Sequence, residues 1–262
     1  MPKLPLYWVD AFTDKIFAGN PAAVVPLTQW LPDALMQQVA FENGLAETAF
    51  FVGTAPGRYR LRWFTPAVEV DLCGHATLAS AFVLFTQLGL AGDTVVFDSR
   101  SGPLVVARQT NGLLELDFPS RPAPPCGIPD GLVRALGGAP IHVAKARDIL
   151  CVFASEEEVR ALRPDYAALA RLDTYALIAT APGRDCDFVS RFFAPRAGIN
   201  EDAVTGSAHC TLTPYWSARL GKTKLHARQI SARSGELWCE QRGDRVGIAG
   251  HAVLYLRGEI EV

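Results

Sequence analysis

Two short clusters and one isolated carboxylate place side chains that can hold or move a proton in patterns that suggest chemistry. Asp71-Leu72-Cys73-Gly74-His75 places Asp, Cys, Gly and His within five residues and leads into the apolar run Ala76 to Phe85. Ala197 to Cys210 holds a second polar group, Glu201-Asp202-Ala203-Val204-Thr205-Gly206-Ser207-Ala208-His209. Upstream, Glu47 is the one carboxylate in the otherwise nearly apolar run Leu45-Ala46-Glu47-Thr48-Ala49-Phe50-Phe51-Val52. Carboxyl and imidazole groups are the residue types of general acid–base chemistry, and a carboxyl set among apolar neighbours can both release and accept a proton near neutral pH.

Helices that begin at Gly74 and Gly206 would aim free N–H groups and a positive dipole end at whatever lies in front, which favours an anion. An acidic substrate held there would meet donors from Gly74, Gly206 and Ser207, with His75 and Asp202 reaching across. The sequence has no Gly-rich phosphate motif, HExxH or GxSxG, so a site with no cofactor and no metal is expected. Zinc held by Cys73, His75, His209 and Cys210 is disfavoured, because i,i+2 and i,i+1 spacings splay side chains apart. Plainer roles exist for each residue. Glu47 could be an edge-strand carboxylate or half of a salt bridge, His75 a structural histidine, Asp202 a cap or ion-pair partner, Ser207 a helix cap and Cys73 a packed small residue. Glu69, Asp71 and Glu201 read as a solvated rim.

The elements that must position these groups follow from local pattern. Tyr7–Phe12 and Ala22–Val25 read as strands around a Gly19-Asn20-Pro21 turn, and Pro32–Ala40 as a helix ending near Asn43-Gly44. Leu45–Val52 and Tyr59–Thr65 read as strands, Ala76–Phe85 as a helix buried along its length, and 94–97, 104–107 and 113–118 as three further strands. The proline-dense stretch Pro119 to Pro125 reads as a domain connection, dividing the chain into residues 1–118 and 119–262, with the last strand able to pack back on the first domain.

Behind that connection the order of motifs repeats. Leu31-Pro32-Asp33 matches Arg163-Pro164-Asp165, Thr54–Gly57 matches Thr180–Gly183, and Arg62–Pro66 matches Arg191–Pro195. Gly74 matches Gly206 and Arg100-Ser101-Gly102 matches Arg233-Ser234-Gly235, all at offsets of 126 to 133 residues. The fold expected is α+β: two similar domains from an internal duplication, each an antiparallel barrel-like sheet around a buried helix, with a shared cleft.

Composition narrows the partners. The 262 residues are 49% hydrophobic and 20% charged, a globular profile, and the formal net charge of −2 without a basic run lacks the footprint of nucleic-acid binding. No segment reaches the length of apolar residues that spans a bilayer, and Met1-Pro2-Lys3-Leu4-Pro5 lacks a signal-peptide apolar region, so a cytoplasmic protein without a membrane partner is expected. Six cysteines without CxxC or finger spacing read as free thiols.

Asn43–Phe50, Asp71–Thr77 and Glu201–Ala208, in this order and spacing, resemble the phenazine-biosynthesis PhzF-like family, which shares the diaminopimelate epimerase fold. The resemblance covers essentially the whole chain. It implies a homodimer of two-domain chains and, for phenazine-producing members, isomerisation of a dihydro-hydroxyanthranilate in which a single glutamate moves a proton without metal or cofactor. That glutamate matches Glu47, and the substrate-facing His, Asp and Ser match His75, Asp202 and Ser207. Many members have Pro where this chain has Ala203. Racemases and epimerases of the architecture use two thiols, whereas here Cys73 before Gly74 is answered by Thr205 before Gly206, and Cys210 would lie one helical turn inside. One-base proton transfer on a small carboxylate is therefore expected over two-base epimerisation. A scaffold serving in binding or interaction without isomerase activity is the alternative.

Overall fold

A computed structural model describes residues 3–262; Met1 and Pro2, part of the leaderless N-terminal reading, lie outside the described residues. The chain divides into two units. Unit 1 runs to Asp117 and takes back Ala249–Val262, and unit 2 is Phe118–Ile248. Both mix strands with helices.

Unit 1 opens with β1 (Lys3–Ala11) paired antiparallel to β2 (Asn20–Leu27). The turn between them ends at Gly19, whose φ of +65° and whose closeness to Ala11, with an added Cβ 2.2 Å from the carbonyl oxygen, admit only glycine. The reversal occupies residues 12–19, with Phe12, Phe17 and Gly19 all at positive φ, so Asn20 and Pro21 are not turn residues as the sequence suggested; they already pair with Ala11 and Asp10 in β2. Helix α1 (Asp33–Asn43) closes on Gly44, left-handed at φ +63°, whose N–H donates to the Ala40 carbonyl. Strand β3 (Glu47–Ala55) runs parallel to β2 and antiparallel to β4 (Arg58–Phe64), which also pairs with β5 (Glu69–Val70).

Helix α2 (Gly74–Thr86) is buried at every position from Gly74 to Phe85 except Phe82, as its all-round apolar sequence requires. Its two buried hydroxyls are satisfied within the helix: Thr77 donates to the Cys73 carbonyl and Ser80 to that of Ala76. The helix packs on β1, β2 and β3. Strands β6 (Thr94–Ser99), β7 (Gly102–Arg108) and β8 (Leu114–Pro119) follow.

Unit 2 contains α3 (Leu132–Leu136), β9 (His142–Lys145), β10 (Ile149–Val152), α4 (Glu156–Ala161), α5 (Tyr166–Leu169), β11 (Leu177–Pro182), β12 (Phe188–Ala194) and β13 (Ile199–Asp202). A 3-10 turn, Gly206–Ala208, leads into α6 (His209–Leu220), followed by β14 (Lys224–Gln229), β15 (Gly235–Arg242) and β16 (Arg245–Gly250). The closing strand β17 (Ala252–Glu261) returns to unit 1 and pairs antiparallel with β1 along its length.

One order of pairing recurs in both units. In unit 1, β1 is antiparallel to β2, β2 parallel to β3, β3 antiparallel to β4, and β4 antiparallel to β5 but parallel to β6, which meets β7. Strands β9 to β15 repeat each relation in turn. An ion pair recurs with them. Arg62 Nε and Nη2 grip Glu69 at 2.7 and 2.9 Å, and Arg191 Nε and Nη2 grip Glu201 at 2.7 and 2.9 Å. Each guanidinium also lies over a phenylalanine ring, Phe64 or Phe193.

Glu69 and Glu201 are thus not the solvated rim the sequence suggested: their side chains are 14% and 19% exposed and bound to arginine, while Asp71, at 74%, is solvated. A largely desolvated pair is costly to break on one side, because the remaining charge has no partner. Arg191→Met should lower stability by about 3–5 kcal/mol, and Arg191→Met with Glu201→Leu should recover most of it. Thermal unfolding of both variants checks this; a single change no worse than the double would mean the pair is effectively solvated.

Candidate functional site

Glu47 is the first residue of β3, beside Ala22 of β2, and His75 is the second residue of α2. The two folded segments bring Glu47 Oε2 to 3.1 Å from His75 Nε2, with side chains 12% and 7% exposed. The contact has ion-pair distance without hydrogen-bond alignment, since Glu47 Oε2 has no aligned donor. A buried carboxylate oxygen with an unused lone pair is equipped to accept a proton.

The other imidazole nitrogen faces Asn20 and Cys73. His75 Nδ1 lies 3.2 Å from Asn20 Nδ2 and 3.5 Å from Cys73 Sγ. Asn20 is 1% exposed. With the amide nitrogen toward Nδ1, that ring nitrogen is the acceptor and the neutral ring carries its proton on Nε2, facing Glu47.

Burial works against a charged His75, but the Cys73 sulfur and the Glu47 carboxylate outweigh it, and the imidazole is held well above its ordinary value. Burial first, and then the Glu47 charge, push the Cys73 thiol up to about 11. A thiol so placed is neutral near pH 7, which leaves Glu47 as the charge that keeps the proton on His75. Glu47, Cys73 and His75 also offer ligand atoms all within 4.8 Å of one another, a mixed oxygen, sulfur and nitrogen set of the kind zinc accepts.

Neighbouring loops fix the segment before α2. Arg100 Nη2 reaches Glu69 at 2.8 Å, and the Ser101 hydroxyl donates to the Asp71 carbonyl at 2.9 Å. At the start of β3, Asn43 Nδ2 donates to the Thr48 hydroxyl at 3.1 Å.

The predicted residues of unit 2 form their own cluster. Asp202 ends β13 and accepts a short hydrogen bond from the Thr205 hydroxyl. Gln229, fully buried, ties the loop together: its amide nitrogen donates to the Asp202 carbonyl at 2.8 Å and its oxygen accepts from the Thr205 N–H at 2.8 Å. Gly206 opens the 3-10 turn, and Ser207 follows it without capping α6; its hydroxyl oxygen accepts from Arg147 Nη2 at 3.4 Å. His209 Nδ1 donates to the Thr205 carbonyl at 2.9 Å, and burial pushes this histidine down to about 4, so it is neutral near pH 7. Burial pushes the Cys210 thiol up to about 11.

The repeated pairings assign each of these a counterpart. Phe64 faces Thr48 as Phe193 faces Leu177, so Ala176 stands where Glu47 stands. Gly74 opens α2 and Gly206 opens the 3-10 turn that leads into α6, and aligning the two sets Thr205 against Cys73 and Ser207 against His75. In the parallel pairs, Ala23 faces Thr48 as Ile149 faces Leu177, so Asn20–Ala22 correspond to Ala146–Asp148. Unit 1 has carboxylate, imidazole and thiol where unit 2 has methyl, hydroxyl and hydroxyl.

Asn20, Gln229 and Arg147 were not anticipated. Asn20 follows a turn glycine and reads as a turn residue, and Gln229 ends a strand with no local sign that it is buried. Arg147 sits in Ala146-Arg147-Asp148, which reads as a solvated hairpin tip.

A strand-rich α+β chain with a buried carboxylate–imidazole pair has known relatives in fold. A predicted epimerase of Pseudomonas aeruginosa aligns at a TM-score of 0.75, covering 99% of each chain, at 22% identity, a likeness of fold alone. The family described as phenazine biosynthesis-like protein, PhzC-PhzF, matches residues 9–258, and the chain belongs to this family. A PhzF family protein of Enterococcus faecalis, known from its crystal structure, superposes at a TM-score of 0.97 over 100% of both chains with 47% identity. A Pseudomonas aeruginosa protein named as an uncharacterized isomerase is 52% identical over 99% of this chain and 100% of its own. No helix among the described residues is long and apolar enough to cross a membrane.

The Glu47–His75 pair sets a titration that can be observed directly. The His75 ring signals should titrate well above 6.5, and Glu47→Gln should bring that midpoint down, because burial then acts without the opposing carboxylate. The linked stability has a fixed sign: the contribution of protonated His75 is complete below about pH 6.5 and fades as pH rises through the elevated folded value. NMR titration of ring-labelled wild type and Glu47→Gln measures both; an unmoved midpoint would dissolve the coupling.

Proposed function

We propose that the protein is a PhzF-like isomerase that shifts a proton within a small carboxylate-bearing substrate, using Glu47 as the single general acid and base. The observation that carries this reading is the buried pair at 3.1 Å, in which the Glu47 carboxylate faces a His75 ring held protonated well above its ordinary value. Glu47 takes a proton from one carbon and returns it to another on the same face, and its position at the start of a strand holds the carboxyl at one place for both transfers. His75 faces the Glu47 carboxylate and offers positive charge to the electron density that develops on the substrate. Gly74, Asp202, Gly206 and Ser207 are assigned to substrate binding. No cofactor takes part in this scheme.

A two-thiol mechanism fits the residues poorly. Thr205 takes the place a second thiol would need, and its hydroxyl is committed to Asp202. Burial holds the thiols of Cys73 and Cys210 near 11, well above the range of a base at neutral pH. The reading of two similar barrel-like domains rests on the recurring pairings and ion pairs; the proposal extends to a cytoplasmic homodimer acting on a small molecule, with neither nucleic acid nor membrane as partner, which family membership and composition support.

A library of cyclic and amino-acid-like carboxylates, screened by thermal shift, supplies substrates for the test. Wild-type protein in heavy water should incorporate deuterium into a hit, as mass spectrometry reads it. Glu47→Gln should bind the same hit with similar affinity while exchange falls by about 10²–10⁴-fold, the usual weight of a general acid–base group. Undiminished exchange in Glu47→Gln would remove Glu47 from the mechanism.

A further inference from the structure

Unit 2 has a neutral counterpart of the acid–base pair, and beside it stands an arginine, Arg147, in contact with Ser207. Arg147 lies in the β9–β10 hairpin, one residue along from the counterpart of Asn20, and contacts Ser207 as Asn20 contacts His75. Its guanidinium is clamped along one edge: Nε donates to Asp148 Oδ1 at 3.0 Å and Nη2 to Asp148 Oδ2 at 2.9 Å, and Asp148 is 2% exposed. The plane stacks over the Tyr175 ring at 4.8 Å. Nη1 has no acceptor among the described residues. An arginine fixed along one edge and open on another is preorganised to take a carboxylate on its remaining N–H groups.

The surroundings favour an anion. Arg147 shares an open pocket with Lys145, Asp173, Thr174, Tyr175 and Arg196. Lys145 Nζ is turned to the Asp173 carbonyl at 2.9 Å, and Arg196 Nη1 to the Leu172 carbonyl at 3.1 Å, both neutral acceptors that leave the positive charges in place. The Asp173 carboxylate, 3.6 Å from Arg196, projects fully into solvent. Three cations thus face Asp148 and Asp173, an excess of one positive charge.

We propose that Arg147 is the carboxylate-recognising residue of this protein, receiving the anionic group of a small organic acid on its open edge beside the Ser207 hydroxyl. The inference rests on the assignment of Ser207 to substrate binding, and it names the group that selects acids over their neutral analogues.

The test uses the full chain, ¹⁵N-labelled, with benzoate as probe and benzamide as its neutral isostere, following the Arg147 Nε–H and Ser207 N–H signals. Benzoate should shift both saturably, and benzamide should bind at least about tenfold more weakly, as expected when a charge-assisted bond is lost. Arg147→Gln should weaken benzoate by about the same factor, and Arg147→Lys should recover part of it. Arg147→Gln leaves Asp148 buried without its partner, so Arg147→Gln with Asp148→Asn is the variant that keeps the fold while removing both charges. Unchanged benzoate affinity in that double variant, or no saturable shift at Arg147, would overturn the proposal. Loss of benzoate binding in Ser207→Ala with full binding in the Arg147 variants would also overturn it while leaving Ser207 its substrate role; failure of the Glu47 reading shows separately, in deuterium exchange.

Discussion

A carboxylate and an imidazole held 3.1 Å apart in a largely water-free place constrain everything around them. Neither charge can stand there alone, because desolvation of an isolated ion costs several kcal/mol in a protein interior. The pair therefore needs backbone that cannot drift, and the fold supplies it from three directions. Glu47 starts a strand paired on both sides, His75 sits in the first turn of a helix buried nearly throughout, and Asn20 directly follows Gly19, whose close approach to Ala11 admits no side chain. Arg100 and Ser101 then tie down the loop that delivers Cys73 and His75.

The second unit shows what the scaffold is without that chemistry. The pairing order and the arginine–glutamate clamp recur with the same bond lengths, while the reactive set does not: alanine replaces glutamate, serine replaces histidine and threonine replaces cysteine. The clamp is a matter of folding, and both units retain it. The buried carboxylate, imidazole and thiol are not needed for folding, and one copy holds them. His209, buried and neutral on the Thr205 carbonyl, helps shape its loop and carries no charge to offer near pH 7.

Much of this was legible in the residues. The all-round apolar run after Gly74 announced a buried helix, the repeat of motifs announced a repeat of elements, and Glu47 stood out because a carboxylate interrupts an apolar strand. The meeting of Glu47 with His75 was not legible, since it depends on two elements converging from positions 28 residues apart, and no local period encodes that distance. Asn20 was hidden for a related reason: Gly-Asn-Pro is turn chemistry, and only the tight approach of Gly19 to Ala11 pushes Asn20 into the strand. Glu69 and Glu201 were misread as solvated because charge alone suggests exposure, whereas their arginine partners come from a neighbouring strand. Arg147 is the clearest case, for a basic residue in a three-residue hairpin tip is ordinarily a surface group, and its burial partner Asp148 is adjacent in sequence yet almost inaccessible.

The central claim is that one carboxyl, working from one side, performs both proton transfers. The facial course of the reaction tests it most directly. With a substrate hit turned over in heavy water, the deuterium in the product should sit on the same face of the molecule from which the proton departed, as NMR of the isolated product would establish. Delivery to the opposite face would contradict the claim, because it demands a second acid on the far side of the substrate that Glu47 cannot be.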